Sequence, residues 1–97
     1  MTIFEDERKL KRVTTLLKAV ANEKRLKILC VLSNGEKSVG ALEELVSLSQ
    51  SALSQHLARL RRDEIVETRR DAQTIYYSIA DQNVVDLVHK ACQTVHT

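Results

Sequence analysis

Residues 49–62 combine an apolar stripe with side chains that can hydrogen-bond to nucleic acid. Leu53, Leu57 and Leu60 follow an i, i+4, i+7 pattern, which predicts a helix packed on a core along one face. The remaining positions, with the capping serine, carry short or amide-bearing polar groups in place of an ordinary Glu/Lys mix: Ser49, Gln50, Ser51, Ser54, Gln55, His56 and Arg59. Such groups can bond base edges or phosphates in a DNA groove, so the pattern predicts a helix that contacts DNA.

A basic hairpin is predicted directly after that helix. Residues 65–70 and 74–79 have the composition of short β-strands, and Arg69, Arg70 and Gln73 lie at or beside the turn between them. Arginines at a hairpin tip can bind phosphates without reading the base sequence. A polar-faced helix followed by a basic hairpin is the winged helix-turn-helix arrangement.

Two cysteines, Cys30 and Cys92, could carry redox chemistry. The chain shows neither a long apolar stretch nor a signal-peptide pattern, so we expect a cytoplasmic protein with no membrane partner. In that reducing compartment, free thiols or a redox pair are expected rather than a constitutive disulfide. The residues alone leave two interpretations open, a sensor pair or two inert thiols in a core.

Seven elements are predicted to position these residues within a single domain, 1–97, because the chain has no proline, two glycines and no evident linker. Helices are predicted over 4–20, 23–32, 39–46, 50–63 and 82–95, strands over 65–70 and 74–79, and a very short strand near Lys37 fits the pattern. Asn22, Ser38 and Asp81 are predicted to cap helices. The predicted fold class is mainly α with a small β-hairpin wing, in the order ααααββα.

The first and last helices carry more apolar surface than one small domain needs. The residues concerned are Leu10, Val13, Leu17, Val84, Leu87 and Val88. Burial of this surface between two copies predicts a homodimer. The net charge of +2 is too small to indicate a nucleic acid partner by itself.

The whole chain resembles the ArsR/SmtB family of winged helix-turn-helix repressors. The resemblance is carried by LLKAVANEKRLKILCVLSNGEKSVGALEEL at 16–45, SALSQHLARLR at 51–61 and ETRRDAQTIYYSI at 67–79. Cys30 within ILCVL, followed by NGEKSVGALE, resembles the persulfide-sensing branch, which includes biofilm-growth repressors and haemolysin activators. The resemblance implies a homodimer, joined by its first and last helices, that binds an inverted-repeat operator in double-stranded DNA.

The metal sites of that family are not matched here. Ser38 and Gly40 stand where the third-helix site has cysteines, so a soft metal lacks its thiolates. Of the four ligands at the interface site only Asp81 matches, and a capping role accounts for it. His89, Cys92 and His96 share one helix face but would need a fourth ligand from elsewhere. No metal and no cofactor are therefore predicted.

The resemblance implies that Cys30 faces a cysteine in the last helix of the same subunit. Relatives place that cysteine about one turn after Cys92, where His96 stands here. A one-turn displacement moves the thiol by roughly 5–6 Å, comparable to the Cα separation of a disulfide. We therefore expect a polysulfide bridge to form more readily than a simple disulfide, with a reactive sulfur species or another oxidant as inducer.

Three functions remain open at this point. The first is a regulator that releases its operator when Cys30 and Cys92 are crosslinked. The second is an inducer-independent regulator that competes with another DNA-binding protein, and the third is a winged-helix module that binds proteins. An enzyme is not expected, because the chain has no Ser/His/Asp set and no glycine-rich phosphate loop.

Overall fold

A computed structural model describes residues 5–95, which form five helices and a three-stranded sheet. The elements are α1 (Glu7–Val20), α2 (Glu23–Leu32), β1 (Lys37–Ser38), α3 (Val39–Val46), α4 (Gln50–Arg62), β2 (Val66–Asp71), β3 (Thr74–Ile79) and α5 (Gln82–Gln93). This order confirms the predicted ααααββα arrangement, together with the very short strand near Lys37.

Side-chain caps set where the helices begin. Asn22, Ser38 and Asp81 cap α2, α3 and α5 as predicted, accepting backbone N–H bonds of 2.8–3.1 Å. Asp6 caps α1 in the same way, with its carboxylate accepting the Arg8 N–H at 3.1 Å. The predicted start at Phe4 lies outside the described residues, and within them the helix begins at Glu7 because Asp6 supplies the cap.

The ends of two predicted elements shift for reasons of backbone hydrogen bonding. The N–H of Ile65 bonds the Leu60 carbonyl at 2.9 Å, so this residue closes the last turn of α4 and β2 begins at Val66. Glu64 lies between them at φ 60, in the left-handed region that ends many helices. At the other end of the chain Thr94 is the C-cap of α5, which stops two residues before the predicted Val95.

The sheet is antiparallel in the order β1-β3-β2, and β2 and β3 form the wing. Arg69 pairs with Tyr76 and Arg70 with Ile75, while β1 pairs Lys37 with Tyr77. Because neighbouring residues of a strand point to opposite faces, Tyr76 and Tyr77 separate. Tyr77 packs against the core.

The core lies between the helices, with the leucine face of α4 inside it. Leu53, Leu57 and Leu60 are buried, as their spacing predicted. They pack with buried residues from the other four helices and from the start of β2: Ala19, Ile28, Leu29, Leu32, Leu42, Val46, Ile65, Val66, Val84 and Val88. Fixing one face of α4 inside the core fixes which side chains its other face presents.

α1 exposes an apolar stripe among its charged residues. Ala19 is its one buried residue, while Leu10 and Leu17 are 43% and 50% exposed.

Within residues 5–95 no helix is both long enough and apolar enough to cross a membrane.

Replacing Leu60 by alanine should lower the free energy of unfolding by about 2–5 kcal/mol, because it opens a cavity in a fully buried position. Leu45→Ala is the matched control, since Leu45 is 50% exposed and its truncation should change stability by no more than about 0.5 kcal/mol. Chemical denaturation at equal protein concentration measures both. Equal losses in the two variants would contradict the core described above.

Candidate nucleic-acid interface and thiol pair

α3, a short turn and α4 form the helix-turn-helix. Ser47, the C-cap of α3, has φ 53 and ψ 46, which reverses the chain, and Leu48 packs against the core. Ser49 then caps α4, its hydroxyl accepting the Ala52 N–H at 3.2 Å. The turn is therefore held at both ends, which sets the angle between α3 and α4.

Four of the ten predicted DNA contacts lie together on the outer surface of α4. Gln50, Ser51, Ser54 and Gln55 are all exposed. They form one continuous polar face opposite the leucines, and we call this set the outer face. Amide and hydroxyl groups held on a rigid, capped helix can reach base edges in a major groove.

His56 and Arg59 lie at the edge of that face, beside α2. Both are half-buried, and the Arg59 Nε donates to Asp63 at 3.2 Å. Partial burial, with the nearby cations Arg25 and Lys24, lowers the pKa of His56. This shift favours the neutral form of His56, and a DNA contact by either residue stays a prediction.

The two wing arginines have different surroundings. Arg69 donates from Nη2 and Nε to the Glu36 carboxylate at 2.7 and 2.8 Å, and its guanidinium lies 4.4 Å from the ring centroid of Tyr76. Hydrogen bonding to Arg69 lowers the pKa of Glu36. The charge of Arg69 is thus compensated within the chain, a feature that the sequence did not reveal.

Arg70 is exposed and, among residues 5–95, takes part in no ion pair. Its cross-strand partner Ile75 belongs to the sheet face that looks toward α4, and Gln73 is exposed in the turn at the tip. Of the two predicted wing arginines, Arg70 is the one whose charge remains available to a phosphate.

An open groove of about 620 Å³ separates α4 from the wing. Ser54 lines it on the α4 side and Tyr77 on the wing side. Arg61 and Arg62 also line it, and both are exposed residues that the sequence analysis missed as candidate contacts. Their signal was the helical repeat, because they follow Ser54 and Gln55 by seven residues and so continue the outer face.

The two cysteines meet within one chain. The Sγ atoms of Cys30 on α2 and Cys92 on α5 are 3.5 Å apart. The two thiols therefore approach each other despite the displacement of Cys92 by one helical turn, and the choice between a polysulfide bridge and a disulfide stays a prediction. A disulfide needs the two sulfurs only about 1.5 Å closer.

The two thiols differ in accessibility and acidity. Cys30 is half-buried and Cys92 is exposed. Burial, assisted by the hydrogen bond with Cys92, raises the pKa of Cys30 to about 11. Cys30 is therefore a protonated thiol at neutral pH, and Cys92 is the thiol that a reagent in solution meets first.

One helical turn away, a second contact joins Ser33, the C-cap of α2, to α5. The Ser33 hydroxyl lies 2.6 Å from the Cys30 carbonyl, which can only accept, and 3.1 Å from Nε2 of His89. Since the hydroxyl has one proton and donates it to the carbonyl, Nε2 of His89 donates to Ser33. Within the described residues no three His, Cys, Asp or Glu side chains are grouped to hold a metal, and His96 lies outside them.

Comparison with known proteins gives a consistent result. Residues 22–68 match the family described as bacterial regulatory protein, arsR family. The transcriptional activator HlyU of Vibrio cholerae is 50% identical over 97 residues, covering 96% of this chain and 90% of HlyU. The biofilm growth-associated repressor of Xylella fastidiosa is 39% identical over 89 residues, covering 92% of this chain and 78% of the repressor.

Solved structures agree with this chain in fold. Reduced HlyU superimposes with a TM-score of 0.86 at 46% identity, covering 96% of this chain and 98% of HlyU. The X. fastidiosa repressor BigR gives a TM-score of 0.88 at 36% identity, covering 100% of this chain and 99% of BigR. The homodimeric winged helix-turn-helix domain Mb0332 of Mycobacterium bovis gives 0.80 at 33% identity, covering 88% of this chain and 79% of that domain.

Iodoacetamide at pH 7.5 should alkylate Cys92 well before Cys30, because Cys92 is exposed and Cys30 is held as the thiol. Labelling of Cys30 should keep accelerating as the pH rises toward its pKa of about 11, since only the thiolate reacts. Peptide mass mapping over time measures both rates. In guanidinium the two rates should converge, and faster labelling of Cys30 in the folded protein would overturn the assignment.

Proposed function

The chain belongs to the ArsR family of bacterial regulatory proteins. From that premise we propose that its thiol pair controls its affinity for DNA. Proteins of this family are DNA-binding transcription regulators and not enzymes. The 3.5 Å contact between Cys30 and Cys92 is the observation that carries the proposal. The regulator binds its operator when both thiols are reduced and releases it when they are crosslinked.

The proposed regulator is a homodimer joined through α1 and α5. Leu10 and Leu17 give α1 an apolar stripe that stays exposed among residues 5–95, and the related Mb0332 domain is homodimeric. Two-fold symmetry would place the two α4 helices in successive major grooves of an inverted repeat. The cytoplasm, where the operator lies, is its proposed site of action.

In this arrangement the outer face and the wing have separate tasks. In this proposal Ser54 and Gln55 bond base edges, whereas Arg70 contacts phosphates. A base contact discriminates between sequences, while a phosphate contact adds affinity for any sequence. Arg61 and Arg62, in the groove between α4 and the wing, extend the phosphate-binding surface.

A low-molecular-weight persulfide, R–SSH, is the proposed inducer. The thiolate of the exposed Cys92 attacks its outer sulfur, forming Cys92–SSH and, with one proton, releasing R–SH. Cys30 then attacks the inner sulfur of Cys92–SSH and gives up its proton to the departing HS⁻, which forms the Cys30–Cys92 disulfide and releases H₂S. Two cysteine thiols are oxidised, and the sulfur delivered by the persulfide is reduced to sulfide, so the electrons balance.

The release requires only a modest coupling between thiols and DNA. α2 carries Cys30 and also packs against α4, so a change in α2 can reach the DNA-binding helix. α5, which carries Cys92, also contributes to the proposed dimer interface, so the same crosslink can alter the spacing of the two α4 helices. A coupling of about 1–3 kcal/mol, typical of allosteric proteins, would change the affinity for DNA about 5- to 150-fold.

Substitutions should separate specificity from general affinity. Gln55→Ala should reduce the preference for operator over random DNA by about 1–3 kcal/mol. Arg70→Ala should weaken binding to both DNAs and flatten the dependence of affinity on salt. Arg69→Ala is the matched control with a smaller salt effect, because Glu36 already compensates Arg69. Fluorescence anisotropy over a range of salt concentrations measures all three, and unaltered specificity in Gln55→Ala would disprove the role of the outer face.

The thiol switch is tested with single-cysteine variants. Cys30→Ser and Cys92→Ser should each bind operator as the reduced parent does, yet keep that affinity after treatment with glutathione persulfide, since neither can form the crosslink. Gel shifts report binding, and mass spectrometry of the parent reports the crosslink and its sulfur count. Release of DNA by both variants after oxidation would mean that the cysteines only fill space and the inducer acts elsewhere.

A further inference from the structure

Two side-chain contacts join α2 to α5, one helical turn apart. The first is the Cys30–Cys92 thiol contact at 3.5 Å, and the second is the bond between Ser33 and His89 at 3.1 Å. Ser33 follows Cys30 by three residues and His89 precedes Cys92 by three, so the two contacts lie roughly 4.5 Å apart along the helices. We call each of these two contacts a rung. Only the thiol rung is redox-active.

We propose that the Ser33–His89 hydrogen bond is the pivot that turns closure of the thiol pair into a tilt of α5. The proposal rests on the thiol switch proposed above and names two positioning residues for it. Disulfide formation shortens the thiol rung by about 1.5 Å. The Ser33–His89 rung is already at hydrogen-bonding distance and cannot shorten by a comparable amount.

Shortening one rung against a fixed neighbour rotates the helices and does not simply bring them together. A change of about 1.5 Å across a separation of about 4.5 Å corresponds to a tilt of at most roughly 20°. Because α5 forms part of the interface in the proposed dimer, a tilt of α5 changes the orientation of the partner subunit and therefore of its α4. Without the pivot, α5 could approach α2 by sliding, which would leave its direction unchanged.

The pivot is insensitive to the charge of His89. The Ser33 hydroxyl is committed to the Cys30 carbonyl at 2.6 Å, so His89 serves as the donor through Nε2. A proton is present on Nε2 both in the imidazolium and in one neutral tautomer. The bond also contains no sulfur, so oxidation of the thiols does not consume it.

The size of the effect is bounded by the strength of one hydrogen bond. Such a bond accounts for about a two- to tenfold change in an equilibrium constant. Loss of the pivot should therefore reduce, by about two- to tenfold, the factor by which oxidation weakens DNA binding.

The test compares Ser33→Ala, which lacks the hydroxyl, with Ser33→Thr, which keeps it. Operator affinity of the full-length protein is measured by fluorescence anisotropy in the reduced form and after glutathione persulfide, and mass spectrometry gives the extent of crosslinking. We expect both variants to match the parent in reduced affinity and in crosslinking. In Ser33→Thr, oxidation should weaken DNA binding by the same factor as in the parent. In Ser33→Ala, that factor should be two- to tenfold smaller.

His89→Ala provides an independent route, because His89 is exposed and its truncation spares the core. It should reproduce Ser33→Ala, and the double variant should go no further, since both changes remove the same bond. Thermal melts confirm that each variant is folded.

Three results would overturn the pivot. They are an undiminished oxidative loss of affinity in Ser33→Ala and His89→Ala, weak DNA binding by these variants already in the reduced form, or failure of their thiols to crosslink. Each of these leaves the switch of the parent protein intact. A crosslinked parent that keeps its full affinity for DNA would instead reject the switch, and the pivot with it.

Discussion

Burial of α2 is the constraint on which the rest of the structure depends. This helix packs against α1, α3, α4, α5 and β3, and its Ile28 and Leu29 are fully buried. A helix surrounded on so many sides has one permitted rotation about its axis, because turning it would expose leucines and bury charges. That single rotation places Cys30 toward α5 and leaves the other end of the helix near α4.

The polar residues of α2 reinforce this placement. Arg25 donates from Nε to the Ala19 carbonyl at 2.8 Å and from Nη2 to the Lys18 carbonyl at 3.2 Å. A cation at the C-terminal end of α1 satisfies carbonyls that the helix leaves unpaired and interacts favourably with the helix dipole. The connection between α1 and α2 is thereby fixed, so the apolar stripe of α1 stays on the outside, where a second copy could cover it.

Local pattern was enough to predict most of the fold. The leucine spacing in α4, the caps at Asn22, Ser38 and Asp81, and the strand at 74–79 all depend on neighbours within a few residues, and the structure confirms them. Features set by distant residues could not be obtained in this way. Glu36 lies 33 residues from the arginine that it neutralises, and the sulfur separation depends on how α2 crosses α5. Counting helical turns along the sequence could not give the distance between the two thiols, because helix crossing is a property of packing and not of sequence position.

The contact between the two thiols also affects how fast the proposed switch can respond. Well-oriented groups held together in one molecule react with effective molarities that reach roughly 10⁵–10⁸ M, far above any dissolved thiol. With the sulfurs 3.5 Å apart, ring closure in the proposed switch would outpace the encounter of Cys92 with its oxidant. The response time would then be inversely proportional to the oxidant concentration, because the encounter with the oxidant would be the slow step. As the chain has only two cysteines, each copy has a single internal pairing, and one reduction step returns it to its starting state.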